Sequence, residues 1–205
     1  MPKKVNADER RADLLVAVWN VIARDGLEKA TVRTLARETG RSAGTLAHYF
    51  TDKDDVLVSA LQLSHERIVA RWEEKLSGLR GLNALRELVL DNLPLDDDRD
   101  LETRLALNYW TRALTQKSLV SSQWRKGPKL IDRIVALVRE GQQLEEIRND
   151  DLAENIAERL HALIDGFSLH SLLYPERLSR ERIEKLMQAE LKQLEHVHAD
   201  QKKGR

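Results

Sequence analysis

The chain of 205 residues has no cysteine. That removes a disulfide framework, a thiol nucleophile, a thiolate metal site and redox sensing through thiols together. No apolar run approaches the roughly 18 residues a bilayer crossing needs. The N-terminus, MPKKVNADERR, carries no apolar stretch of the kind found in a secretory leader. A cytoplasmic protein with no membrane partner is therefore expected. Net charge is also missing, because 34 Lys and Arg offset 34 Asp and Glu, and this weighs against a surface that binds nucleic acid everywhere. Repeats, low-complexity tracts and credible strand pairs are absent as well. What is present is 41% hydrophobic residues, enough for buried cores in one or two domains, and apolar positions that recur almost throughout at helical spacing.

The distribution of charge says more than its sum. Residues 1–50 hold 9 Lys or Arg and 6 Asp or Glu, leaving that portion at +3 and the remainder at −3. A modestly basic head on an acidic body suits a protein that sets one end on phosphate. Within the head, TVRTLARETGRSAGTLAHYFTDK (31–53) reads as a helix, a forced turn and a very short helix. Thr31 is a cap, Val32, Leu35 and Ala36 form a buried stripe, and Gly40 ends the first helix in a left-handed conformation. Ser42 caps a second helix that hardly extends beyond Ala43 to Tyr49. Leu46, Tyr49 and Phe50 turn inward, while Ala43, Gly44, Thr45 and His48 face outward. Small residues at Ala43 and Gly44 allow close approach to a surface, as a recognition helix entering a major groove by its N-terminal end requires. The pattern is a helix-turn-helix. A plain helical hairpin is the competing interpretation.

The stretch from Leu14 to Leu57 resembles the DNA-binding domain of the TetR family of bacterial transcription regulators. Thr31, Leu35, Ala36, Gly40, Ser42, Gly44, Thr45, Leu46, Phe50 and Lys53 all stand where that family has them. Two residues depart from the family pattern: Arg41 replaces a usual aliphatic residue, and Ala47 a frequent phosphate-contacting tyrosine, with His48 and Tyr49 beside it as partial substitutes. The resemblance implies base reading by Arg33, whose guanidinium fork matches O6 and N7 of guanine. It implies phosphate contacts from Thr45 and from Lys53 at a helix N-terminus. Thr31 and Ser42 add backbone contacts or serve as caps, and Arg41 lays its stem over the apolar spot with its head toward phosphate.

The rest of the chain reads as helix. Asp8 to Asp25 places Leu14, Leu15, Val18, Trp19 and Ile22 on one face. Thr51 with Asp54 resembles a capping box for a long helix ending near Gly78. Another helix runs from Asn83 to Leu93. An acidic link, Asp96 to Asp100, then leads to a helix whose stripe is Leu101, Leu105, Ala106, Trp110 and Leu114, with Asp98 or Asp100 as its cap. Gly127-Pro128 interrupts the next region, and Leu130, Ile131, Ile134, Leu137 and Val138 mark a further helix. The last two stripes are Leu152 to Tyr174 and Ile183 to Val197. The predicted architecture is all-α, with an N-terminal helix-turn-helix DNA-binding domain (1–55) and a C-terminal helical ligand-binding and dimerisation domain (56–205).

The C-terminal body resembles the sensor domain of the same family, most closely its choline-responsive betaine-repressor subgroup, in NYWTRALTQKSL and WRKGPKLIDRIVALVREGQQLEEIRNDD. The resemblance implies a homodimer joined by the final helix pair, with Leu163, Gly166, Phe167, Leu186 and Leu194 at the interface. A DNA argument agrees, since one short helix reads few bases and two held about 34 Å apart read successive grooves. Trp72, Trp110, Trp124, His161 and Phe167 are the candidate ligand contacts, their aromatic faces suited to a quaternary ammonium and equally to plain core. The implied function is a repressor on a palindromic operator, released by a small-molecule effector of unknown identity, with neither cofactor nor metal. Two alternatives are a magnesium-dependent helical enzyme around the DDxxD of Asp96, Asp97 and Asp100, and a helical scaffold that binds no DNA. His161 and Asp165, four apart, could hold a metal or a ligand; an internal hydrogen bond is the plainer expectation. His196 and His198 read as part of a solvated tail.

Overall fold

The computed structural model describes residues 7–115 and 130–196, and among these residues the protein is all-α, with nine α-helices. They are α1 (Ala7–Asp25), α2 (Val32–Thr39), α3 (Ala43–Ala47), α4 (Lys53–Lys75), α5 (Gly81–Asp91), α6 (Asp97–Thr115), α7 (Leu130–Gln143), α8 (Ala153–Leu173) and α9 (Arg180–Lys192). A single 3-10 turn, Leu27–Lys29, separates α1 from α2. Packing divides the described residues into two compact units, one taking those up to Arg67 with Arg104–Thr115, the other Ile68–Thr103 with 130–196. Both α4 and α6 therefore contribute residues to each unit. Gly127-Pro128, Trp124, Val197 and His198 lie outside the described residues.

In the first unit the apolar face of α1 is buried as its spacing predicts, with Leu14, Val18, Trp19 and Ile22 inside. Trp19 also receives a cation on its ring face, the Arg67 guanidinium of α4 standing 5.0 Å from the ring centroid. The cap of α4 lies one residue beyond the expected Thr51. Asp52 Oδ1 accepts from Asp55 N at 2.9 Å, and Asp55 Oδ2 accepts in return from Thr51 N at 3.0 Å. Because the helix begins at Lys53, Asp52 is the residue that can reach the orphan amides. Asp54 is thereby left to accept from Arg112 of α6 at 2.8 and 2.5 Å.

α6 departs from its expected face. The buried positions are Leu101, Glu102, Leu105 and Tyr109, whereas Trp110 is half-buried and Leu114 is 87% exposed. A helix of 3.6 residues per turn holds 101, 105 and 109 in one row, and the phase chosen through 106, 110 and 114 is rotated away from it. The helix is capped by Asp96, which accepts from Arg99 N at 2.8 Å, rather than by Asp98 or Asp100.

The second unit encloses a core in which Leu85 and Leu88 of α5, Ile134 and Val138 of α7, Ile156 and Leu160 of α8 and Met187 of α9 are buried. α7 passes close to the turn that follows it, since a Cβ at Gly141 would meet Ile147 Cδ1 at 2.5 Å. α5 has no cap of its own, so other segments supply one. Gly81 N donates to Glu140 Oε2 at 3.0 Å and Leu82 N to Glu146 Oε2 at 2.8 Å. The Gly81 amide and the Arg80 guanidinium hold the Glu140 carboxyl below the usual range. After α9, Arg148 N donates to Leu194 O at 2.9 Å and His196 N to Glu146 O at 2.8 Å. The chain through His196 is thus attached to the turn after α7, although the side chain of His196 remains exposed.

A buried ionic cluster ties α4, α5 and α6 together. Arg71 Nε donates to both oxygens of Asp91 at 2.8 and 3.0 Å, its two terminal nitrogens donate to Glu102 at 2.9 and 2.8 Å, and Lys75 donates to Asp91 at 2.7 Å. Burial pushes the Glu102 carboxyl above its usual range against the pull of Arg71. Breaking such a cluster strands carboxylates in a poorly solvated place. Arg71→Ala is expected to cost about 3–5 kcal/mol at pH 7. The loss shrinks toward pH 5, because Glu102, already raised by burial and now without Arg71, takes up a proton in the folded variant that the unfolded chain does not. Urea unfolding of both proteins across that range checks both the size and the sign.

Candidate nucleic-acid interface

The geometry of the turn begins with its caps. Thr31 Oγ1 accepts from Thr34 N at 3.2 Å and opens α2. The helix closes at Gly40, which adopts φ +63°, with Gly40 N donating to Arg37 O at 3.3 Å and Arg41 N to Ala36 O at 2.9 Å. The second of these bonds spans five residues and reverses the chain within one turn, as in a Schellman closure. Ser42 Oγ then accepts from Thr45 N at 3.0 Å and starts α3. Leu35, Leu46 and Phe50, all at 1% exposure or less, anchor the pair from beneath.

This anchoring leaves one side of α3 bare. Ala43, Gly44 and His48 are exposed, and Arg41, Thr45 and Tyr49 are half-buried. Nothing inside the chain demands a glycine at 44, since a Cβ there would meet only Ser42 Oγ at 3.8 Å. Its smallness serves an approach from outside. Arg33 on α2 is exposed too. Lys53 is the first residue of α4, and its side chain lies outside what is described.

The capping hydroxyls keep donor capacity as well. Thr31 Oγ1 stands 3.0 Å from Thr34 Oγ1, and Ser42 Oγ stands 2.8 Å from Thr45 Oγ1. Each pair owns two O–H groups and uses one between its members, so one per pair is left to donate to an incoming acceptor. Sequence reasoning missed Thr34, because its Oγ pairing with Thr31 shows only once the cap has formed.

The expected effector contacts are distributed between the units. Trp72 is buried in the second, where its indole N–H has no hydrogen-bond partner among the described residues. Phe167 is half-buried and packs against the same core. His161 Nε2 lies 4.0 Å from Asp165 Oδ1, too long for the internal hydrogen bond expected and within range of an ion pair. Burial raises the Asp165 carboxyl while His161 draws it down. Trp110 belongs to the first unit. The buried aromatic of its helix is Tyr109, which the α6 misphasing concealed.

Leu163 and Phe167 of α8 pack onto the core of their own chain, Leu186 of α9 is half-buried, and Leu194, just beyond α9, is buried in that core. Gly166 has open space, since a Cβ there would meet nothing within 4 Å. The DDxxD acids have structural partners: Asp96 caps α6, and Asp97 accepts from Arg180 at 2.5 Å.

Comparison with known proteins agrees with this geometry. Residues 14–60 match the bacterial regulatory proteins of the tetR family, and residues 82–196 match the C-terminal region of BetI-type transcriptional repressors. Over 188 residues the chain is 28% identical to the HTH-type transcriptional regulator PksA of Bacillus subtilis (strain 168), covering 91% of this chain and 90% of that one. It is 30% identical over 185 residues to the HTH-type regulator BetI of Stenotrophomonas maltophilia (strain R551-3), covering 89% and 91%. A crystal structure of a transcriptional regulator from Saccharomonospora viridis in complex with choline superposes at a TM-score of 0.82, with 25% identity over 93% of this chain and 100% of that one. The chain is no enzyme: it belongs to the TetR family of DNA-binding bacterial transcription regulators, with a C-terminal region of the BetI repressor type.

Proposed function

We propose that the protein is a homodimeric cytoplasmic repressor, which binds a palindromic operator through residues 1–55 and is released by a small molecule bound within residues 56–205. The observation that carries the reading is the bare face of α3, a helix of five residues whose exposed Ala43 and Gly44 no intrachain packing requires. A helix this short reads few base pairs, so a useful specificity needs two copies on successive grooves. In this reading Arg33 contacts a base edge, while Thr31, Arg41, Ser42, Thr45, His48, Tyr49 and Lys53 contact the backbone or its edge.

Arg33→Ala is expected to relax preference at one base pair per half-site, at a cost of about 1–3 kcal/mol for each bidentate pair removed. Lys53→Ala weakens cognate and scrambled duplexes alike and flattens the salt dependence. Titration of a duplex selected from a random pool, beside a scrambled control at several salt concentrations, tells the two roles apart. Equal losses on both duplexes for Arg33→Ala assign it to positioning instead.

The outward face of α8 supports a dimer seam there. Ala162 and Gly166, together with Leu169 at 40% and Leu173 at 58% exposure, recur at intervals of four, three and four on the side turned away from Ile156, Leu160 and Ile164. That spacing gives the narrow stripe along which two helices meet, and the glycine lets them approach closely. A Cβ at Gly166 meets nothing within 4 Å in the isolated chain, so Gly166→Leu is directed at the partner, and a thermal midpoint equal to that of the wild type excludes a folding origin. The dimer is expected to weaken by about 1–3 kcal/mol of overpacking. Sedimentation across protein concentration measures it, and an unchanged dimer places the seam elsewhere.

The S. viridis neighbour holds choline. Here Trp72 presents a buried indole N–H without a partner among the described residues, and such a group in a native fold calls for an acceptor. We place the effector against Trp72, with Phe167 and His161 as further contacts. Trp72→Phe keeps an aromatic face, on a ring smaller than the indole, and removes the donor. A loss of about 0.5–1.5 kcal/mol in effector affinity is expected, that is two- to tenfold. DNA affinity without effector stays within about fivefold. Operator titration against choline, and against effectors found by screening, tests this; unchanged induction by every active compound removes Trp72 from the site.

A further inference from the structure

We propose that Arg37 is an additional phosphate contact, which with Arg33 forms a two-arginine clamp along the outer face of α2. This clamp extends the DNA-binding reading above to a residue that neither the turn motif nor the matching family positions singled out. Arg33 and Arg37 are four apart on α2, so they lie on one side of the helix, about 5–6 Å apart at Cβ. Both are exposed. Neither guanidinium makes a hydrogen bond or ion pair with another described residue, although Arg37 lies near enough to Asp25 and Glu38 for its charge to lower both carboxyls; the lack of a direct pair separates the two from most arginines of the fold. Arg24, Arg71, Arg80, Arg99, Arg112 and Arg180 are each paired to carboxylates.

The acid nearest in sequence is already taken. Glu38 accepts from Arg24 at 2.6 Å on the side of α2 that faces the end of α1. Two like charges one helical turn apart destabilise a free helix slightly, and a polyanion laid between them reverses the sign of that interaction. The position suits such an anion. In a helix-turn-helix the helix before the turn crosses the sugar-phosphate backbone while the second enters the groove. An arginine one turn beyond the base-reading Arg33 therefore extends along the backbone instead of into the groove, where its fork matches phosphate oxygens.

The assignment rests on the DNA-binding reading, and one titration series separates the two. Wild type, Arg37→Ala and Arg37→Lys are titrated against a duplex that the wild type selects from a random pool, and against a scrambled duplex, between about 50 and 200 mM salt. Each phosphate interaction removed lowers the slope of log affinity against log salt by about one, hence by about two for a dimer. The deficit of Arg37→Ala should then shrink about tenfold across that salt range, be equal on both duplexes, and be largely recovered in Arg37→Lys. An unchanged slope, or a loss confined to the selected duplex, overturns the phosphate assignment and leaves the DNA-binding reading standing. Failure of the wild type to bind any duplex overturns that reading itself. Thermal midpoints within a degree or two across the three proteins exclude a folding origin for any difference.

Discussion

A helix of five residues cannot stand by itself. Its single turn of hydrogen bonds does not repay the entropy of fixing the backbone, so α3 exists only because neighbouring groups hold it at both ends and beneath. Ser42 satisfies its first amides, Gly40 delivers the chain at the right angle, and Leu46 with Phe50 ties it to a core built from α1 and α2. Every one of these groups lies on the inner side or at an end. The consequence is functional, because a helix supported wholly from below offers its other side to a groove with no internal contact to give up.

Charge obeys the same division. The sequence is neutral overall, yet the fold sorts its arginines into those consumed inside and those left outside. Arg71 engages all three guanidinium nitrogens on Asp91 and Glu102, and Arg112 donates to Asp54. Arg33 and Arg37 have no such partner among the described residues. In the proposed function, a neutral protein thereby presents a locally positive strip to phosphate without carrying positive charge everywhere.

α8 carries apolar or small residues on two opposite sides. Ile156, Leu160 and Ile164 close the core of the second unit, and the opposite side carries Ala162, Gly166, Leu169 and Leu173. A sequence stripe that is apolar nearly all round does not say which part faces the chain's own core and which faces a partner. Of the interface residues the resemblance implied, Leu163 and Phe167 are half-buried against the chain's own core and Leu194 is buried in it. What remains outward is smaller and more regularly spaced.

The helix-turn-helix was legible from sequence because every feature that defines it is local. Thr31, Gly40 and Ser42 act on groups within four residues of themselves, and the buried stripe of α2 follows from periodicity alone. The all-α class was legible for the same reason. Other features were decided only by tertiary structure. The row of α6 that turned inward, with Tyr109 inside and Trp110 half out, depended on what packed against it. The carboxylates that cap α5 come from residues about 60 positions away, and Arg71 meets partners 20 and 31 residues distant. No local propensity encodes such meetings, because the groups involved become neighbours only after apolar burial has brought the helices together.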